Sequence, residues 1–300
     1  MEDIINANTI GRVVYELMNT SAYDLPDDIK EFLNKYIDKS SGPAETQLKA
    51  MMEGLKQAKM KKLPICQDTG IPIIYLRIGN ELEISEDLEK IVRKNVAEAT
   101  QDIPLRETMI NPFNRKERNN APIIEYRPLL NAQYVDLTIF ARGCGAEYTT
   151  LLTMLDPKNL TENLKRTVLK HVKEKASQSC PPIIVGIGVG GSSEKAVGLT
   201  KKSMLRPIDD RHPEKKLSDI EKELFEKINE LEIGPMGLGG RPTCINVAIE
   251  YAPSPIARVP VSVSFGCWPN RIASARIYSD DDIRYFDYPD KFWREEWYDG

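Results

Sequence analysis

The sequence predicts an α/β fold with mixed sheets, flanking helices and a helical N-terminal part. Apolar residues recur at helical spacing over the first sixty positions, and from Ile71 onward short β-type runs alternate with amphipathic stretches. Glycine and proline punctuate the joins between them. No internal repeat and no linker-like stretch divides the chain, so residues 1–300 read as one domain whose first part, 1–62, is helical.

Taken in order, Asn6 to Met18 has apolar residues on one helical face, Leu25 to Tyr36 follows a Pro-Asp-Asp start, and Ala44 to Met60 forms a third helix. Ile71 to Ile78 is a short strand, and Glu86 to Thr100 returns to amphipathic helix. Residues 101–122 form a long polar loop that holds Arg106; loops of this length inside a domain commonly carry function. Tyr134 to Ala141 alternates as a strand and runs into Arg142-Gly143-Cys144-Gly145-Ala146-Glu147. A charged helix covers Leu160 to Ser177. Strand Ile183–Val185 leads into a glycine-rich turn, Gly186–Gly191, and then a helix from Glu194 to Leu205. A helix over Ser218 to Leu231 ends at Gly234-Pro235-Met236-Gly237-Leu238-Gly239-Gly240. Strands follow at Thr243–Tyr251, Val259–Phe265 and Ser274–Tyr278, before an aromatic, acidic tail from Tyr285 to Tyr298.

The bulk numbers exclude several classes. With 41 basic against 45 acidic residues the net charge is -4, which gives no electrostatic reason to expect nucleic acid or an anionic membrane surface. The longest apolar run, Pro181 to Gly191, is too short and too rich in glycine to span a bilayer, and the N-terminus lacks the pattern of a signal peptide. A cytoplasmic protein is expected. Its five cysteines are scattered and unpaired in sequence, unlike a secreted disulfide framework.

Three of those cysteines stand where a strand begins or ends, the place where a rigid sheet presents side chains to a shared site. Cys66 lies in Pro64-Ile65-Cys66-Gln67-Asp68-Thr69-Gly70, Cys180 precedes Pro181-Pro182 and a strand, and Cys267 follows a strand in Phe265-Gly266-Cys267-Trp268-Pro269. Cys244 falls inside a strand pattern and Cys144 between two glycines. Such spacing matches no zinc motif, which would show close ligand pairs. It is compatible with a [4Fe–4S] cluster held by three thiolates, but on spacing alone buried thiols that bind nothing are the favoured reading. Gly186-x-Gly188-x-x-Gly191 fits a dinucleotide fingerprint on paper, but no strand ending in an acidic residue follows at the required distance. A tight turn with close helix–sheet packing is the expected reading there.

In order along the chain stand Cys66-Gln67-Asp68-Thr69-Gly70, Cys180-Pro181-Pro182-Ile183-Ile184-Val185-Gly186-Ile187-Gly188, Leu205-Arg206-Pro207-Ile208, Gly234–Gly240 and Gly266-Cys267-Trp268. On these motifs the chain resembles the α subunit of class I fumarate hydratase, a family shared with L-tartrate dehydratase α subunits. The resemblance runs from about residue 10 to 280. It implies a hydro-lyase with a [4Fe–4S] cluster at the strand ends, ligated by Cys66, Cys180 and Cys267, with one iron not bound by cysteine. It implies that Gln67 and Asp68 contact a small dicarboxylate and that Arg106 holds one of its carboxylates. The backbone around Gly143 and Gly145 is expected to line the pocket.

By the same resemblance Asp68 and Arg106 are the catalytic candidates of this chain, and Gln67, Asp68, Arg106, Gly143 and Gly145 its substrate-binding ones. No residue stands out as the proton-abstracting base, which the resemblance places in a β half, either a separate subunit or a C-terminal extension; here a separate β subunit, and so a hetero-oligomer, is expected. Malate and fumarate are the expected pair, with L-tartrate dehydration as the alternative. Two departures from the family pattern stand out: Ala146-Glu147-Tyr148 replaces Ser-Glu-Asn, and Pro255 stands where many relatives carry a histidine. They motivate a second alternative, an inactive binding protein that keeps the fold. The only histidines, His171 and His212, read as solvent-exposed.

Overall fold

The helical spacing of the first sixty residues becomes three helices, α1 (Ala7–Tyr23), α2 (Asp27–Ile37) and α3 (Gly42–Lys61), in a computed structural model that describes residues 3–84, 87–116, 118–279 and 282–289. Four further helices of more than one turn follow around a short one: α4 (Leu88–Asp102), the single turn α5 (Cys144–Glu147), α6 (Leu160–Lys175), α7 (Ser193–Ser203) and α8 (Lys215–Asn229). Side chains cap the starts of α1, α4 and α7: Asn6 accepts from Asn8 N at 2.8 Å, Asp87 from Lys90 N at 3.1 Å and Ser192 from Lys195 N at 3.2 Å, whereas α6 and α8 begin without a side-chain cap. The strands are β1 (Asp3–Ile5), β2 (Ile71–Gly79), β3 (Leu82–Ile84), β4 (Met109–Ile110), β5 (Arg118–Asn119), β6 (Ile123–Leu129) and β7 (Tyr134–Arg142). After them come β8 (Leu151–Leu155), β9 (Ile183–Val189), β10 (Cys244–Tyr251), β11 (Val259–Gly266), β12 (Arg271–Tyr278) and β13 (Ile283–Phe286). Among the described residues no helix is long and apolar enough to cross a membrane.

Internal contacts divide the chain into two units, one from residues 3–26, 54–144 and 269–289, the other from 27–53 and 145–268. The first is built on a mixed sheet in the order β13-β12-β7-β2-β6, with only β2 and β6 parallel. Alternation sorts its residues by face. Ile74, Leu76, Val135, Leu137, Ile139, Ala273 and Ala275 pack on Ile10, Val13 and Leu17 of α1 and on Val92 and Val96 of α4. The opposite face carries Thr138, whose hydroxyl meets that of Ser274 at 2.9 Å, and Asp136, paired with Arg276 at 2.6 Å.

The second unit is built on a mixed sheet in the order β10-β9-β11-β8, with β9 and β10 parallel. Ile183, Val185, Ile187, Val247, Val261 and Val263 pack on Leu164, Val168 and Val172 of α6 and on Leu224 and Ile228 of α8. On its other face lies α7. A Cβ at Gly186 would sit 2.4 Å from Thr200 O and one at Gly188 2.0 Å from Ala196 O, so the helix backbone rests directly on the strand.

That packing corrects the expected turn over Gly186–Gly191. The strand continues through Gly186 and Gly188 to Val189, and only Gly190 and Gly191, at φ +84° and +66°, turn the chain. The close helix–sheet packing expected there is observed. Strands β1, β3, β6, β8 and β13 were not predicted, and the long 101–122 loop carries the small β4–β5 ribbon. Of the acidic tail, β13 covers Ile283–Phe286, while residues from 290 on lie outside the described ones.

Candidate active site

In the first unit three central strands share one end. The register pairs Ile71, which opens β2, with Arg142, which closes β7, and pairs Ala141 with Arg271, which opens β12. The loop entering β2 and the turn leaving β7 therefore meet. Asp68 joins them: its Oδ2 accepts from Cys144 N at 2.7 Å and its Oδ1 from Gly70 N at 3.2 Å. Gly70 adopts φ +85°, and a Cβ there would lie 2.9 Å from the Arg142 carbonyl, so a side chain would push the loop off the strand end.

A second set of bonds brings in the loop after α4. The Thr69 hydroxyl accepts from Arg106 N at 2.8 Å. Thr108 Oγ1 lies 3.1 Å from Gly70 O and 3.2 Å from Asn120 Oδ1, and Asn120 Nδ2 donates to Thr100 Oγ1 on α4 at 3.0 Å. The backbone of Arg106 is thus fixed while its side chain stays exposed, as does that of Gln67; Asp68 is half-buried and Gly143 buried. Gln67, Asp68, Arg106 and Gly143 consequently gather with Cys66 at one end of one sheet.

In the second unit β9 begins and β11 ends side by side, Gly266 opposite Ile184, which sets Cys180 and Cys267 just beyond the same sheet end. Trp268 N donates to Cys180 O at 3.3 Å. Met236 N, from the Gly234–Gly240 turn, donates to Pro181 O at 2.8 Å. That turn needs its glycines: at Gly234, with φ +72°, a Cβ would fall 1.9 Å from Gly239 O. Gly145 packs on the residues before Cys180, its carbonyl accepting from Ser179 Oγ at 3.4 Å. A Cβ on Gly145 would lie 2.9 Å from Gln178 O.

The thiols differ sharply in surroundings. Cys180 is exposed, and Cys66, Cys144 and Cys267 are half-buried. Cys244 is buried, its Sγ donates to Asn246 O at 3.1 Å, and burial pushes its pKa up to about 12. A thiol so held stays protonated and is a poor metal ligand. Among the described residues no group of three or more His, Cys, Asp or Glu side chains stands ready to hold a metal ion.

Both histidines depart from expectation. His212 is only 7% exposed: its Nδ1 accepts from Glu214 N at 3.1 Å and its ring tilts on Tyr251. His171 is half-buried, 2.6 Å from Thr149 O and against the Phe265 ring. Arg206, in one of the recurring motifs, is structural. It pairs with fully buried Glu221 at 3.0 Å and with Glu250 at 3.2 Å, tying α8 to β10. Thr69, Thr108, Asn120 and Arg271 were missed by sequence reasoning. The partners of the first three lie tens of residues away, and nothing local in sequence signals such contacts.

Comparison with known proteins gives the family of the chain. Residues 11–276 match the family described as fumarate hydratase (fumerase). A protein of Methanocaldococcus jannaschii, provisionally named L(+)-tartrate dehydratase subunit alpha, is 39% identical over 281 residues, covering 90% of this chain and 98% of its own. The L(+)-tartrate dehydratase subunits alpha of Escherichia coli K12 and Shigella sonnei are each 28% identical over 279 residues, covering 91% of this chain and 92% of theirs. With a match over nearly its whole length and a relative of that similarity, the chain belongs to the fumarate hydratase (fumerase) family of hydro-lyases.

Proposed function

We propose that this chain is the α subunit of a [4Fe–4S]-dependent hydro-lyase that interconverts a 2-hydroxydicarboxylate and its unsaturated acid, malate and fumarate in the first reading. The observation that carries the proposal is the gathering of Asp68, Arg106 and the Gly143–Cys144 turn at one sheet end, within a chain whose family match spans residues 11–276. Cys66, Cys180 and Cys267 would hold the cluster. The donor chemistry fits: these thiols are exposed or half-buried at strand ends, whereas Cys244 keeps its proton. When bound, the cluster supplies a Lewis-acidic iron with an open coordination position.

Each residue of the chain then has a separable task. Arg106 offers a planar fork to one substrate carboxylate, in a geometry a lysine would not reproduce. The exposed Gln67 amide adds a neutral donor beside it. Asp68 holds the Gly70 and Cys144 amides, which keeps the backbone of Gly143 to Gly145 facing the substrate, and its carboxylate can accept from the substrate hydroxyl. Removing a proton next to a carboxylate builds dianionic charge, so cations preorganised toward that charge are the largest requirement of the reaction.

The base is assigned to a separate β subunit; the relatives' names, as alpha subunits, support a partner of this kind. The assembly is proposed to be a soluble, cytoplasmic hetero-oligomer. L(+)-tartrate dehydration is the second reading, favoured by those same names. The test is iron and acid-labile sulfide per chain after anaerobic purification, in wild type and in Cys66→Ser, Cys180→Ser, Cys267→Ser and Cys244→Ser. About four irons, lost in the first three variants and kept in the last, are expected. Iron indifferent to those substitutions overturns the cluster assignment. Turnover of malate against L(+)-tartrate by the reconstituted pair then decides the substrate.

A further inference from the structure

Arg271 opens β12 and is only 2% exposed. Its Nε is buried with no hydrogen-bond partner, and none of the ion pairs among the described residues includes it. Two other low-exposure arginines have a carboxylate partner, Arg206 with Glu221 at 3.0 Å and Arg276 with Asp136 at 2.6 Å. Arg271 instead points beneath the loop that enters β2. Its Nη2 lies 2.9 Å from where a Cβ of Gly70 would be, and its side chain lines a small cavity with Thr69, Leu105 and Asn120.

A buried guanidinium without a counter-charge is costly to the fold, so such a group calls for a use of its charge. Here the loop above it carries Gln67 and Asp68, and Thr69 of that loop is bonded to the backbone of Arg106. The reaction under the proposal above binds a dianion and builds further negative charge.

We propose that Arg271 is a positioning residue for the anionic substrate. It does not touch the substrate; its uncompensated charge behind Gly70 holds the sheet end at positive potential and keeps the Cys66–Gly70 loop in place. An exposed cation would be screened by solvent and salt, whereas one in low-dielectric surroundings acts over several ångströms. The inference rests on the reading of Arg106 and Asp68 as substrate-binding.

The test uses the full chain assembled with its partner subunit and compares competitive inhibition by succinate, a dianion, with inhibition by its monoamide succinamate. Arg271→Gln is expected to weaken succinate about tenfold while leaving succinamate within about threefold, the size of one partly screened charge interaction. Arg271→Lys, which keeps the charge, is expected to hold the succinate-to-succinamate ratio within about threefold of wild type. An unchanged ratio in Arg271→Gln, even with a lowered melting temperature, overturns the proposal, because a purely structural role moves both inhibitors together. If the neutral variant does not fold, Arg271→Lys still decides, since loss of the ratio there removes charge as the cause. Arg106→Gln is run beside them: if it leaves succinate inhibition untouched, the site reading fails, whatever Arg271 does.

Discussion

The end of the first sheet is fastened chiefly by side-chain hydrogen bonds, and the end of the second more by backbone amides and close approaches at glycine. In the first unit Asp68, Thr69, Thr108 and Asn120 supply the bonds that hold the Cys66 loop, the Arg106 loop and the turn after β7. In the second, the run around Cys180 is held chiefly by amides of Trp268 and Met236 and by close approaches at Gly145 and Gly234. The difference follows from what each end presents. Under the proposed function the first end sets groups for a substrate carboxylate beside Cys66 and needs them fixed by their own hydrogen bonds, whereas the second end offers Cys180 and Cys267 on a closely packed backbone. Substitutions should therefore act differently in the two units, through geometry in the second and through polarity in the first.

The largest effect is expected at Gly234. Gly234→Ala forces a left-handed residue and a Cβ 1.9 Å from Gly239 O, so a loss of about 3 kcal/mol or more is expected in chemical unfolding. A variant as stable as wild type would show that backbone packing does not brace the Cys180 run. Next comes Arg106→Gln, which removes the charged fork but leaves the Thr69 bond to its amide. Under the proposed function it lowers kcat/KM about a hundredfold with little change in melting temperature. Equal losses of stability and activity would instead make Arg106 a structural residue. A smaller effect is expected from Thr69→Val, which keeps the shape but leaves the Arg106 N–H without its acceptor. Stability should fall by about 1–3 kcal/mol and KM rise as the loop loosens, read by unfolding and steady-state kinetics.

How much of this was legible in the sequence depends on how local each signal is. The long amphipathic helices were read to within a few residues because their periodicity is carried by the elements themselves. Gly186 and Gly188 misled: glycine usually marks a turn, yet here it lies within β9 because the α7 backbone passes too close for any side chain. Strand β8 was missed because Leu151–Leu155 shows no polar alternation, with Leu152 and Met154 apolar and exposed. At the site, Cys66, Gln67 and Asp68 could be picked out because they are contiguous in a recurring motif. The Thr69–Arg106 bond spans 37 residues and the burial of Arg271 is a product of sheet register, so neither leaves a mark in the local pattern.

The mildest contrast to sharpen is between thiols. Cys180 is exposed while Cys244 is buried and held protonated, with its pKa raised from an ordinary 9.0 to about 12. Because the folded state keeps the proton that the unfolded state releases, the contribution of Cys244 is fully present below about pH 9 and is lost as pH rises toward 12. Other groups titrate in that window, so the quantity to measure is the difference between wild type and Cys244→Ala in unfolding free energy at pH 8 and pH 10.5. Wild type should lose more stability than the variant over that step. Under native conditions at pH 8, in protein free of metal, iodoacetamide should modify Cys180 first and reach Cys244 only on unfolding. If Cys244 were labelled as fast as Cys180, its side chain would be open to solvent in the native state. Cys244 would then no longer differ from the three proposed ligands in its access to solvent.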